Sequence, residues 1–209
     1  MREVVVSGIG LVTPSGLSAQ QSFDQWVQGK SAVGYVPEAI RQWLPDMLAA
    51  CVPAAFNSQI PRADQGFDRA VQLGMAAASE AMHDAQCVSP ERLKVNHAQR
   101  SGVYVGIGLA GAQTLEGLFD AFYRRTLTPE AAGNRNPTIM HPLTVPRLMA
   151  NATAAAASMR FGLQGASHTF SVACASSAVA LGEAFHAIKA GYLDRALVIG
   201  TEAQILTGP

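Results

Sequence analysis

Three short apolar runs, residues 101–107, 166–172 and 195–200, are separated by longer stretches in which apolar residues recur every three or four positions. Strands that alternate with helices in this way pair in parallel, and a parallel sheet must be covered on both faces. A strand covered on both faces reads as an unbroken apolar run, as Ala196-Leu197-Val198-Ile199 does. The predicted class is therefore α/β with a mostly parallel sheet. Between the strands, residues 68–85 carry Val71, Met75, Ala78 and Met82 on one helical stripe. Residues 113–125, 145–161 and 175–190 read as further helices, with Gly191 placed to close the last. Ser18 is positioned to cap a helix reaching about Gln28, with Phe23, Trp26 and Val27 on one face and Gly29 as its stop. Residues 3–7 are a β-branched run closed by Gly8 and Gly10 and predict a short buried strand. Residues 30–63 hold four prolines and predict an irregular excursion with at most one short helix. Residues 126–146, rich in Pro, Asn and Gly, predict a long loop.

Composition bears on how this sheet is finished. Charged residues are 14% of the 209, apolar residues are 49%, and 15 basic residues balance 15 acidic ones. A soluble domain ordinarily has about 25% charge, so part of this surface is expected to be covered by another chain or by further sequence. The chain also stops soon after a strand, with no closing helix, which predicts an unfinished domain. Zero net charge excludes the electrostatic footprint of a nucleic-acid binder. The Ala-rich run at 148–159 is too short to span a bilayer, and no signal-peptide profile opens the chain, so a cytoplasmic protein is expected. Cys51, Cys87 and Cys174 are odd in number and far apart, which supports neither a disulfide framework nor a zinc site.

The sharpest local feature is Ser171-Val172-Ala173-Cys174-Ala175-Ser176-Ser177. A strand ends, small residues allow a tight turn, and a cysteine stands where a helix begins. Helix starts present unpaired N–H groups and partial positive charge, both of which favour a thiolate. Two readings stand on this chemistry: a nucleophile at a strand-to-helix elbow, or a small buried apolar residue. No histidine is an evident partner. His168 lies about 20 Å back along an extended strand, and His186 roughly 18 Å along the helix. His83, His97 and His141 have no position that sequence can assign, which leaves a Cys-His hydrolase without support. Residues 106–111 match GxGxxG, but no strand with a terminal acidic residue follows at the required distance, so a dinucleotide site is not supported. A glycine-rich strand exit with close backbone packing is the better reading.

Four stretches together resemble the β-ketoacyl-acyl carrier protein synthases, the elongating condensing enzymes of fatty-acid and polyketide synthesis. They are the opening Val4-Val5-Val6-Ser7-Gly8-Ile9-Gly10-Leu11-Val12-Thr13-Pro14-Ser15-Gly16, the exit Gly106-Ile107-Gly108-Leu109-Ala110-Gly111, the segment His141-Pro142-Leu143-Thr144-Val145-Pro146 with Asn151, and the elbow from Val172 onward through Gly200-Thr201-Glu202-Ala203. The resemblance covers essentially residues 1–209, as the N-terminal half of such a synthase. It implies a thiolase-like fold with α-β-α-β-α layers, of which this chain is most of the first of two similar halves.

It further implies that Cys174 takes an acyl chain as a thioester from the phosphopantetheine of an acyl carrier protein. Malonyl-carrier protein then decarboxylates and attacks that thioester. No cofactor or metal of the protein's own is implied. Leu109 is implied to line the acyl pocket, and Thr144 to reach across a two-fold interface toward the partner's pocket. The 167–172 strand is implied to pair with its counterpart in a homodimer or heterodimer. The family's catalytic histidines, lysine and second glycine-rich loop belong to the half absent here. Residues 113–142 are longer than the family suggests. The basic residues the family often places before the Asp68 helix are replaced by Gln65 and Gly66, leaving Arg62 and Arg69 nearby. The alternative function is a non-catalytic partner subunit of the chain-length-factor type, against which the retained Cys174 argues.

Overall fold

A computed structural model describes residues 2–89, 95–126 and 140–205. Its centre is a three-stranded parallel sheet of β3 (Ser101–Gly106), β4 (Ser167–Phe170) and β5 (Arg195–Gly200), in the order β4-β3-β5. Val103 aligns with Ser167 on one side and Leu197 on the other, so β3 is laddered along both edges. All six of its residues are buried. Side chains alternate between the faces. Val103, Val105, Leu197 and Ile199 pack on α4 (Arg69–Asp84) and α7 (Ala152–Phe161). Tyr104, Ala196 and Val198 pack on α8 (Ser176–Lys189). The result is an α-β-α sandwich, three of the five layers expected. Met75 of α4 has no exposed surface, a burial worth about 1.5–3 kcal/mol.

Helix α4 falls where its apolar stripe predicts. Its cap is Asp68, whose carboxylate accepts from the Ala70 N–H and also from the Thr114 N–H and hydroxyl, both at 2.9 Å. One buried carboxylate thus ties the start of α4 to the start of α5 (Ala112–Thr126). Asp64, also buried, takes a bidentate bond from Arg160 of α7. Helix α1 (Ala19–Val27) is capped by Ser18, and Gly29 and Gly191 stand at positive φ just beyond α1 and α8, as expected.

Four expectations need correction. Residues 3–7 form no strand: the segment runs without a ladder, and Val5 and Val6 are 73% and 77% exposed. The backbone just beyond it is held by side chains, with the Ile9 N–H on Asp84 and the Leu11 N–H on Glu80. Residues 30–63 contain more structure than predicted. An antiparallel pair, β1 (Val33–Tyr35) and β2 (Leu48–Ala50), brackets α2 (Glu38–Arg41), and α3 (Phe56–Gln59) follows. The single helix expected at 145–161 is two, α6 (Thr144–Leu148) and α7, because Met149 turns extended between them. Gly111 packs against the Leu148 backbone at that break. Residues 127–139, most of the expected loop, lie outside the described residues. Strand β4 is shorter than expected, ending at Phe170.

Candidate active site

The carboxyl ends of β3, β4 and β5 open on one side, the place where parallel sheets generally gather a ligand site. Beyond β4 the chain turns at Ala173, whose φ of +49° is left-handed and costs an alanine roughly 1–2 kcal/mol. One hydroxyl secures the turn: Ser176 Oγ accepts from the Val172 N–H at 2.8 Å and donates to the Ala173 carbonyl at 2.7 Å. The N–H groups of Ala175 and Ser176 close back onto the Val172 and Ala173 carbonyls, each at 3.1 Å. Cys174 stands on the crest, exposed, just before α8. Helix α8 starts this close to the sheet because residue 106 is glycine. A Cβ there would collide with the peptide joining Ser176 and Ser177.

Cys174 and Leu109 line one cavity of about 610 Å³, with Ser177 on α8 and Thr201, Glu202 and Gln204 beyond β5. The structure thus brings two of the three expected site residues together. Thr144 is elsewhere: it opens α6, is 5% exposed within its own chain, and donates its N–H to the His141 carbonyl at 2.8 Å. No described histidine lines the cavity. His168 packs its ring 5.3 Å from Tyr104, His186 lies against Phe185, and His83 Nδ1 is 2.7 Å from the Ser79 carbonyl. His141 Nδ1 accepts from the Leu143 N–H, and His97 stands before the 3₁₀ turn at Ala98–Arg100.

The glycine-rich exit behaves as close packing, not as a phosphate loop. Gly106 abuts α8, and a Cβ on Gly108 would come 2.8 Å from Glu202 Oε2. Sequence reading missed the side chains that hold this exit. Glu202 accepts from the Gly108 and Leu109 N–H groups, and Ser171 Oγ donates to the Gly108 carbonyl at 3.1 Å. The available signal was an acidic residue two positions beyond a parallel strand, facing a glycine-rich neighbour.

Of the two arginines near the start of α4, Arg62 is exposed. Arg69 is committed inward, with Nη1 2.8 Å from Asn57 Oδ1 and its guanidinium 4.6 Å over the Phe56 ring. Burial lowers its pKa. Among the described residues no group of His, Cys, Asp and Glu could hold a metal, and no helix is long and apolar enough to cross a membrane.

This arrangement, a parallel sheet sandwiched by helices with a cysteine on the elbow between β4 and α8, defines a thiolase-like α/β protein. The chain matches the family described as β-ketoacyl synthase, N-terminal domain, over residues 1–208, and it belongs to that family. It is similar to 3-oxoacyl-acyl-carrier-protein synthase 2 of Rhizobium meliloti, 31% identical over 98% of this chain and 48% of that protein. Nodulation protein E of a Rhizobium species is 32% identical over 97% of this chain and 47% of its own length. Among solved structures, a β-ketoacyl synthase from Burkholderia phymatum superposes with a TM-score of 0.69 at 25% identity, covering 92% of this chain and 45% of that one. A type II polyketide acyl-carrier protein in complex with its ketosynthase gives 0.74 at 24% identity, with 98% and 46% covered. The chain spans about half the length of the relatives it matches.

Proposed function

We propose that this chain carries the nucleophile and one wall of the acyl pocket for a decarboxylative Claisen condensation in fatty-acid or polyketide elongation. The observation that supports this is the exposed Cys174 at a helix start, sharing a cavity with Leu109. The Cys174 thiolate attacks the acyl thioester of an acyl carrier protein and displaces the carrier's phosphopantetheine thiolate. Malonyl-carrier protein loses carbon dioxide, and its carbanion attacks the acyl-Cys174 carbonyl. Collapse of that adduct releases β-ketoacyl-carrier protein and restores the Cys174 thiolate. The Cys174 backbone N–H forms part of the oxyanion hole in this scheme. Groups that drive decarboxylation come from outside residues 1–209, since no described histidine reaches the cavity. The scheme uses no cofactor or metal of its own and is set in the cytoplasm.

Residues 1–209 act in this reading as one half of a ketosynthase domain. Its partners are an acyl carrier protein and a second synthase-type subunit, identical or not. Strand β4 is an edge of the described sheet, and edge strands invite pairing with another chain. Exposed Val33, Tyr35, Phe119 and Tyr123 show how much apolar surface one chain leaves uncovered. Thr144 is assigned to the two-fold interface in the same reading, with the exposed Leu143 and Val145 beside it.

The test is alkylation with fluorescent iodoacetamide, with cerulenin as competitor. Cys174 is expected to label first, over the half-buried Cys51 and Cys87, and Cys174→Ala to abolish that label. Equal labelling of all three cysteines overturns the nucleophile and favours the non-catalytic partner.

A further inference from the structure

Glu202 lies in the cavity with Cys174, yet the scheme above gives it no work. Its carboxylate is engaged by two backbone N–H groups and one side-chain amide. Oε2 accepts from the Gly108 N–H at 2.8 Å and Oε1 from the Leu109 N–H at 3.1 Å. Gln204 Nε2 donates to the same Oε1 at 3.0 Å. From the opposite side, Ser171 Oγ donates to the Gly108 carbonyl. The place is where β3 runs out of ladder. The Ile107 N–H still reaches the Phe170 carbonyl at 3.0 Å, and the Thr201 N–H still reaches the Gly106 carbonyl at 3.2 Å. One residue later, side chains from the exits of β4 and β5 take over the role of neighbouring strands. Leu109 itself is 52% exposed, so little packing fixes its side chain, and its backbone is what places it.

We propose that Glu202 is a positioning residue: it clamps the Gly108–Leu109 peptide, sets the height of the Leu109 wall, and thereby sets which acyl lengths reach Cys174. This rests on the reading of Cys174 and Leu109 given under the proposed function. A carboxylate suits the task because both its oxygens accept, whereas the amide of glutamine has one acceptor and a donor that would face an N–H. Glycine at 108 is part of the device, since a Cβ there would press on Oε2.

The experiment compares wild type, E202Q and G108A in the full-length protein. Amide exchange of Gly108 and Leu109 should accelerate about tenfold in E202Q while Val103–Val105 stay protected. Acylation of Cys174 from short-, medium- and long-chain acyl-carrier donors should shift its length ratio by about fivefold. G108A should reproduce that shift by dislodging the carboxylate with its charge intact, so the result does not hang on one variant folding well. An unchanged length ratio in both variants, or unchanged exchange at Gly108 and Leu109, overturns the proposal. A wild-type Cys174 that labels but accepts no acyl group sinks the condensation reading, and selectivity with it. The exchange contrast then decides the clamp separately.

Discussion

Residues 101–106 and residues 3–7 are both short runs that set valines beside glycine, and the fold treats them oppositely. In β3 every residue is buried between two neighbouring strands and two helical layers. In the opening run the same kind of sequence lies open, with Val5 and Val6 facing solvent and side-chain carboxylates taking the next amides. Gly8 and Gly10 lie against α4, where the Ala77 and Ala81 carbonyls leave no room for side chains. The opening segment is therefore well anchored along one side and unpartnered along the other. The contrast shows that an apolar run encodes a demand for burial, and that the neighbours within reach decide whether the demand is met.

The strongest way to break that contrast is to truncate one valine in each run. Val105 has no exposed surface, so Val105→Ala removes two methyl groups and leaves a cavity, at about 2–3 kcal/mol. Urea denaturation should show a lower midpoint with an unchanged slope. Val6→Ala should change the stability by less than about 0.5 kcal/mol in the 209-residue chain. A large loss from Val6→Ala would mean that the opening run is covered after all.

The elements best read from sequence are those whose pattern and neighbours coincide. Val71, Met75, Ala78 and Met82 announce α4 because the sheet face they pack on has an equally apolar surface. Arg195–Gly200 was legible to the residue because a strand covered on both faces leaves an unbroken apolar signature. The elbow was legible because small residues on both sides of Cys174 leave few other geometries. By contrast, β1 and β2 are exposed strands held by their backbone register, with Gly34 opposite Ala49, and that leaves no periodicity to read. The break between α6 and α7 is met by Gly111, far away in sequence. Glu202 was invisible as a clamp for the same reason. Its partners lie more than ninety positions earlier, and a side chain bonded to backbone imposes no residue type on its partner.

The smallest expected effect concerns an ionic tie between the opening segment and the sheet. Asp194, just before β5, receives Arg100 Nε at 2.7 Å and Arg2 Nη1 at 2.6 Å. Hydrogen bonds from Arg100 first, and then from Arg2, hold its carboxyl well below the usual carboxylate range. A depressed carboxyl stabilises the fold fully above its unfolded pKa of about 3.9, and the contribution fades as pH falls toward the folded value. Stability should therefore be flat with respect to this group from neutral pH down to about 5 and decline only below about 4. The group is open to solvent, so salt should weaken the effect. An NMR titration of the Asp194 carboxyl is expected to show its midpoint rising toward the ordinary range in Arg100→Ala, and by less in Arg2→Ala. The reverse ranking would mean that the opening segment, not the 3₁₀ turn at Ala98–Arg100, governs Asp194. The opening run would then be bound to the sheet more firmly than its lack of a ladder implies.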